Sequence, residues 1–192
     1  YRSYFDDSPE VPVLRTTDVD FLVGMPPRIT SELDVPATLE ELGFSPQWSI
    51  DGRFCKYAHP DMEVEFLIPE LGSDSDGAIA VEGLHVSAQP LRYLSLVYEN
   101  TMIVEYHQHP IRVPEPEAFV LLKLLVIPRR KDGAKVEKDI KTVQSLGEFL
   151  LGRPDRKNRI IALFHSLPEG WKKTIVREAQ VHFPVLLAIV GP

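Results

Sequence analysis

Alternating polar and apolar residues in the first half of the chain predict β-strands. Residues 18–23 (DVDFLV) alternate and then become fully apolar, which is typical of a strand that enters a core. Residues 63–68 (EVEFLI) repeat this pattern, and a His59-Pro60-Asp61 turn separates them from strand-like residues 53–58. Further strands are predicted at residues 78–86, 102–106 and 111–113, and short helices at residues 36–42 and 91–98.

From residue 114 onward the spacing of apolar residues becomes that of helices. Pro114-Glu115-Pro116-Glu117 is typical of a helix start, because proline and acidic residues are favoured in the first turn. The helices are predicted at residues 118–126, 136–151, 158–166, 171–182 and 185–190. We therefore predict an α+β fold, in which a mixed β-sheet core with helices (residues 1–113) precedes a helical C-terminal part (residues 114–192).

The composition is that of an ordinary globular protein. The chain has 192 residues, of which 44% are hydrophobic, and no apolar run approaches the roughly 18 residues of a membrane span. Cys55 is the single cysteine, which excludes a disulfide framework and favours a reducing, cytoplasmic location. We interpret Cys55 as a packed apolar residue. The chain begins at Tyr1 within a polar stretch, so we expect the natural N-terminus to lie further upstream.

Charge is distributed unevenly along the chain. The net charge is -7, yet basic residues outnumber acidic ones two to one from Lys123 onward. This asymmetry suits a metal site that faces a phosphate-binding surface, and it equally suits ordinary charge pairing within the molecule. A basic patch at Arg153, Arg156, Lys157 and Arg159 could bind RNA phosphates, although a solvated surface is the interpretation we favour.

Three carboxylates are the candidate catalytic and metal-binding residues. Asp18 and Asp20 lie two apart on a predicted strand, so both point to one face and can hold one hard cation such as Mg²⁺. Glu65 precedes Phe66-Leu67 as Asp20 precedes Phe21-Leu22, and it would join the pair if the two strands are neighbours. It could then bind metal and accept a proton from an attacking hydroxyl, with Glu63 as the fallback. Exposed strand acids without a function are the alternative.

The segment R-T-T-D-V-D-F-L-V (residues 15–23) resembles the DNA polymerase β-like nucleotidyltransferase superfamily, in particular its small bacterial members of the abortive-infection and toxin type. The resemblance implies that residues 1–113 form a nucleotidyltransferase core. It also implies that Asp18, Asp20 and Glu65 are the carboxylates that bind metal and catalyse transfer. Arg15 and Thr17, directly before the aspartates, are then candidates for nucleotide binding.

The helical half carries further likeness to these small bacterial members, in Pro116-Glu117-Ala118-Phe119, Lys123-Leu124, Arg129-Arg130 and Lys138-Asp139. By this resemblance Lys123 and Lys138 would contact the triphosphate or support the site, and Asp139 would orient a neighbouring base. The superfamily also has a Gly-Gly or Gly-Ser pair upstream of the aspartates, whereas no glycine precedes Gly24 here. An upstream insertion or a true loss of the pair would each explain this.

These features lead to a main hypothesis and two rivals. The main one is a magnesium-dependent nucleotidyltransferase that moves a nucleotidyl group from a nucleoside triphosphate to an RNA, a protein hydroxyl or a small molecule. The first rival is a non-catalytic relative that binds a nucleotide or a partner protein in a toxin–antitoxin or defence system. The second is an unrelated α+β interaction module whose acids do not converge. The sequence predicts no membrane partner and is silent on the oligomeric state.

Overall fold

The computed structural model describes residues 17–24, 32–50, 52, 55–70 and 77–191, which form two compact units. The sheet unit ends at Tyr98 and the helical unit begins at Glu99. This division lies before the predicted boundary near residue 113, because the hairpin that follows Glu99 is tied to the helices. Arg159 Nη2 donates to Asn100 Oδ1 at 3.0 Å, and the Glu115 N–H donates to the Asn100 carbonyl oxygen at 2.9 Å.

The sheet unit is built around one mixed sheet. Its strands are β1 (Asp18–Leu22), β2 (Ser45–Trp48), β3 (Cys55–His59), β4 (Met62–Pro69), β5 (Ile79–Val81) and β6 (Val86–Leu91). Its helices are α1 (Val35–Glu41) and α2 (Leu94–Glu99). The strand order is β2-β3-β4-β6-β5, and β1 pairs with β4 as well. β1 and β6 run parallel to β4, whereas the other pairs are antiparallel.

The alternation in β4 explains how this sheet buries one face. Val64, Phe66 and Ile68 pack into a core with Leu39 of α1, and the intervening positions point to the other face. After Glu65 the strand is apolar on both faces, and Leu67 is buried as well. The predicted strand at residues 63–68 is therefore confirmed, together with the hairpin turn before it.

Helix α1 begins and ends as its sequence predicts. The Asp34 side chain accepts a hydrogen bond from the Ala37 N–H at 3.0 Å, which caps the first turn, and Pro36 lies within that turn. Gly43 follows the helix with φ +86°, a left-handed conformation that glycine adopts without strain.

The helical unit combines a hairpin with a group of helices. The hairpin consists of β7 (Thr101–Tyr106) and β8 (His109–Pro114). The helices are α3 (Pro116–Val126), α4 (Gly133–Leu151), α5 (Pro154–Ser166), α6 (Glu169–His182) and α7 (Leu187–Val190). α3 is buried on nearly every side because it packs against α4, α5 and α6. Among the described helices, none has both the length and the apolar character needed to cross a membrane.

The structure differs from the predicted elements at several places. Residues 78–86 were predicted as one strand, but β5 and β6 are separated by a 3₁₀ turn at Glu82–Leu84, after which His85 has φ 57°. The helix predicted from residue 91 begins at Leu94, because β6 continues to Leu91 and Tyr93 has φ 68°. Strand β2 was not predicted. The α+β class with a mixed sheet and a helical C-terminal part is confirmed.

Candidate active site

Strands β1 and β4 bring four carboxylates to one face of the sheet. The parallel register places Asp18 beside Glu63 and Asp20 beside Glu65. Register partners on neighbouring strands point to the same face, as do residues two apart on one strand. The pairing that Glu65 needs in order to lie near the two aspartates is therefore present. We call this surface, formed by the four carboxylates, the acidic face.

Apolar packing on the opposite side fixes the direction of these carboxylates. The ring of Phe21 stacks on that of Phe66, with centroids 5.5 Å apart and 18° between the planes. Tyr57 of β3 meets the same ring edge-on, with centroids 6.3 Å apart. Because Phe66 is buried in the core and Glu65 precedes it, Glu65 points away from the core. The acidic face is thus held in place by the packing beneath it.

Thr17 anchors the beginning of β1. Its carbonyl oxygen accepts a hydrogen bond from the Glu63 N–H at 2.6 Å, and its hydroxyl donates to Asp18 Oδ1 at 3.2 Å. Thr17 therefore touches one of the candidate metal ligands directly. Its role in nucleotide binding stays a prediction, and Arg15, which was predicted beside it, lies outside the described residues.

A lysine that the sequence pattern did not single out extends over the acidic face. Lys56 Nζ lies 2.7 Å from Glu63 Oε1. In β3, Lys56 stands between the buried residues Cys55 and Tyr57, so its side chain leaves the sheet on the acidic side. This alternation, a charged residue between two buried ones in a strand next to an acidic strand, is the signal that could have revealed it.

The donor atoms of the acidic face fit magnesium. Mg²⁺ is usually bound through one or two carboxylates, and substrate phosphates and waters complete its octahedral shell. Asp18, Asp20 and Glu65 supply carboxylate oxygens from neighbouring backbone positions. Within the described ranges, no three His, Cys, Asp or Glu side chains are already gathered as a cation site. The match to Mg²⁺ therefore rests on the type of donor atom and on the strand register.

In the helical unit, Asp139 is buried and held by two cations. Lys123 Nζ lies 2.6 Å from Asp139 Oδ1, and Arg130 Nε donates to Asp139 Oδ2 at 2.9 Å. Lys123 Nζ also lies 4.9 Å from the centroid of the Phe119 ring. The carboxylate thus fixes two basic side chains of α3 and the following turn. Lys138 precedes it on the exposed side of α4. The contacts of Lys123, Lys138 and Asp139 with a nucleotide stay predictions.

The basic patch on α5 is partly engaged in ion pairs within the helical unit. Arg156 Nη1 donates to Glu117 Oε1 at 3.2 Å, and Arg159 forms two hydrogen bonds with Glu115, at 2.7 and 3.0 Å. These two arginines therefore fasten α5 to the start of α3. This use agrees better with a structural role than with a surface reserved for RNA phosphates.

The sequence profile of a protein family described as "Nucleotidyltransferase" matches residues 9–157, well over half of the chain. The chain belongs to this nucleotidyltransferase family. The matched span includes every residue predicted for the site, from Arg15 to Asp139.

Comparison with solved structures and with curated proteins adds little to the family assignment. An antigenic nucleotidyltransferase-like protein from Paracoccidioides brasiliensis is similar to the chain, with 15% identity and a TM-score of 0.46. The similarity covers 92% of this chain and 75% of that one. At this identity and TM-score it carries no argument about activity. No curated protein sequence matches significantly.

A nucleotidyltransferase requires oxygen donors for a divalent cation and a group that accepts the proton of the attacking hydroxyl. In this member of the family the acidic face offers both kinds of group, through Asp18, Asp20 and Glu65 on adjacent strands. Both kinds of group therefore lie on one face of the sheet unit.

Proposed function

We propose that this protein is a magnesium-dependent nucleotidyltransferase that moves a nucleotidyl group from a nucleoside triphosphate to an acceptor hydroxyl. The observation that carries the proposal is the β1–β4 register, which sets Asp20 beside Glu65 and Asp18 two residues away on the same face. Membership in the nucleotidyltransferase family supports the reaction class. The resemblance to the DNA polymerase β-like superfamily supports the pairing of an Asp-x-Asp strand with a third carboxylate.

Asp18 and Asp20 would hold Mg²⁺, and Glu65 would complete the set. The ion, when bound, neutralises charge on the phosphates. Glu65 accepts the proton of the acceptor hydroxyl, whose oxygen forms a bond to the α-phosphorus. The bond from that phosphorus to the oxygen bridging to the β-phosphate breaks, and pyrophosphate leaves with its electron pair. Positioning of the two reactants on the acidic face supplies most of the rate.

Further residues named by the resemblance complete this proposal. Thr17 contacts Asp18 and would keep that carboxylate oriented towards the nucleotide. Arg15, Lys123, Lys138 and Asp139 are proposed nucleotide contacts on the strength of the resemblance. The acceptor is an RNA, a protein hydroxyl or a small molecule.

A second candidate function is nucleotide binding without transfer, which a true loss of the superfamily's upstream glycine pair would favour. The superfamily uses a glycine pair ahead of its aspartates to cradle the triphosphate, and residues 1–23 contain no glycine. A protein without this cradle could keep the acidic face and bind a nucleotide or a partner protein, as in toxin–antitoxin or defence systems, yet transfer nothing.

The first experiment is a calorimetric titration of the full chain with ATP, CTP, GTP and UTP, with and without Mg²⁺. We expect magnesium-dependent binding that an Asp18→Ala/Asp20→Ala variant loses. A Glu40→Ala/Glu41→Ala variant is the matched control, because it removes two adjacent exposed acids of the same unit and should bind like wild type. If no triphosphate binds to the wild type, the protein is not the nucleotidyltransferase that we propose.

Labelled nucleotides then separate transfer from mere binding. A triphosphate labelled at the α-phosphate should pass its label to an acceptor, whereas label at the γ-phosphate should leave in pyrophosphate. Transfer of γ-label would indicate a kinase and contradict the proposal. Binding without transfer of either label to RNA, protein or small-molecule fractions would establish the non-catalytic alternative.

A further inference from the structure

Magnesium alone does not balance the negative charge that the acidic face and a bound triphosphate bring together. Four carboxylates lie on this face, and the proposed substrate carries several negative charges of its own. Phosphate sites in proteins are usually built with fixed positive charge as well as metal. In the described part of the sheet unit, the Lys and Arg side chains are Lys56 and Arg92. These two cations are therefore the candidates from this part of the chain.

Lys56 is the cation that reaches the acidic face. The β3–β4 register places Tyr57 opposite Val64, so Lys56 lies at the level of Glu65. Its ammonium group contacts Glu63, which is itself beside Asp18. Arg92 instead pairs with Glu70, which directly follows β4 and lies about 16 Å from Glu65 at roughly 3.3 Å per residue.

The Lys56–Glu63 pair contributes little to folding. The two side chains are 30% and 37% exposed, and exposed ion pairs contribute less than about 1 kcal/mol to stability. Holding the Lys56 side chain in one conformation also costs conformational entropy. The stability of the fold therefore depends little on this pair.

We propose that Lys56 binds the phosphates of the nucleoside triphosphate at the acidic face, and that Glu63 positions Lys56 instead of binding metal. The inference rests on the proposed function, which it extends by two residues. An ammonium group on a flexible stem can bind Glu63 before the nucleotide arrives and then turn to a phosphate oxygen.

Two affinities, both measured by calorimetry on the full chain, test the roles of Lys56 and Glu63. The first is the affinity for Mn²⁺ alone, used in place of Mg²⁺. The second is the affinity for the triphosphate in excess Mg²⁺. Lys56→Met should weaken triphosphate binding about tenfold, since a charge-assisted hydrogen bond is lost. The same variant should bind Mn²⁺ more tightly, because a competing positive charge is gone. Lys56→Arg should restore most of the triphosphate affinity, and Arg92→Met is the matched control, expected to match wild type in both measurements.

Glu63→Gln and Glu65→Gln distinguish the positioning acid from the metal ligand. Glu63→Gln should keep Mn²⁺ affinity within about twofold and weaken triphosphate binding, whereas Glu65→Gln should lose Mn²⁺ affinity. A metal affinity lost equally in both variants would overturn the assignment of Glu63. Triphosphate binding by Lys56→Met that equals that of Arg92→Met would overturn the role of Lys56, and would leave the proposed function intact if the Asp18→Ala/Asp20→Ala variant still fails to bind. Absence of triphosphate binding in the wild type would remove both proposals.

Discussion

At the start of α3, the Glu117 side chain lies where water cannot reach it. It is 0% exposed, and its Oε1 accepts a hydrogen bond from Arg156 while its Oε2 has no hydrogen-bond partner among the described residues. Burial raises the pKa of the Glu117 carboxyl above its ordinary value of 4.5, and the nearby Arg156 guanidinium only partly opposes this. The folded state therefore favours the protonated, neutral form more than the unfolded chain does.

A pH dependence of stability follows from this raised pKa. The folded protein binds the Glu117 proton more tightly than the unfolded chain, so this residue's contribution to stability is fully present below about pH 4.5 and is lost as pH rises through the folded pKa. We expect the unfolding free energy of wild type, relative to Glu117→Gln, to fall as pH increases from about 4 towards 7. Urea denaturation of both proteins across this range measures the difference.

The sign of this effect distinguishes burial from ion pairing. If the pairing with Arg156 dominated, the folded pKa would be lowered and the difference between the two proteins would rise with pH. Glu169→Gln is the useful comparison, because the partner Lys172 lowers the pKa of that exposed carboxyl. Its difference from wild type should change in the opposite direction, and only weakly because the pair is exposed.

Within α4, Gly147 allows an aromatic ring to touch the helix backbone. A Cβ atom added to Gly147 would lie 2.6 Å from Phe183 Cζ, well inside van der Waals contact, and Phe183 is buried. We expect Gly147→Ala to lower the unfolding free energy by about 1–3 kcal/mol, although alanine normally favours a helix. Thermal or urea unfolding measures this.

Gly170 in α6 is the matched control for this substitution. Nothing lies within 4 Å of a Cβ atom added there, so Gly170→Ala should raise stability by up to about 1 kcal/mol. Combining Gly147→Ala with Phe183→Leu should cost less than the two single changes together, because the smaller side chain makes room. Simple additivity of the two costs would show that the ring is not what excludes a methyl group at position 147.

The turn between β7 and β8 is built from residues that do not favour its conformation. His107 and Gln108 both have positive φ, 48° and 67°, which two-residue hairpin turns require and which Asn-Gly adopts most readily. We expect His107→Asn/Gln108→Gly to raise the unfolding free energy by about 1 kcal/mol. Gln108→Ala is the control, since it changes the side chain without relieving the backbone. Equal stabilities of the two variants would contradict this account.

These elements also show what the sequence can and cannot predict. Strands β1 and β4 were predicted because their alternation is strong, and so were Asp18, Asp20 and Glu65 as candidates. Strand β2 was missed because all four of its residues are exposed and one is proline, so no alternation marks it. The position of Lys56 on the acidic face depends on the register between β3 and β4. The sequence of β3 alone does not show this register, because it depends on the partner strand as well.

At the scale of the whole molecule, the basic excess of the C-terminal half is used in part within the helical unit. Arg156 and Arg159 pair with glutamates near the start of α3, and Lys123 and Arg130 share Asp139. These pairs link residues that are between 9 and 44 positions apart in the sequence. Charge asymmetry in a sequence is therefore an uncertain guide to a phosphate-binding surface, because internal pairs account for some of it.

Ligand binding at the acidic face should be visible in the stability of the full chain. A ligand at one hundred times its Kd stabilises the state that binds it by about 2.7 kcal/mol. We therefore expect Mg²⁺ with the preferred triphosphate to raise the Tm by several degrees in wild type and in Glu40→Ala/Glu41→Ala, and not in Asp18→Ala/Asp20→Ala. Chelation of the metal should abolish the rise.

Amide hydrogen exchange then tells where the ligand acts. Protection gained in β1 and β4 would place binding at the acidic face, since these strands carry its four carboxylates. Protection gained in α3 and α4 but not in these strands would instead assign the triphosphate to the cations around Asp139, and would contradict the site proposed on the sheet. Asp18 and Asp20 lie on β1, and every residue of β1 pairs with β4. Ligand contacts with these aspartates should therefore slow the opening of both strands together.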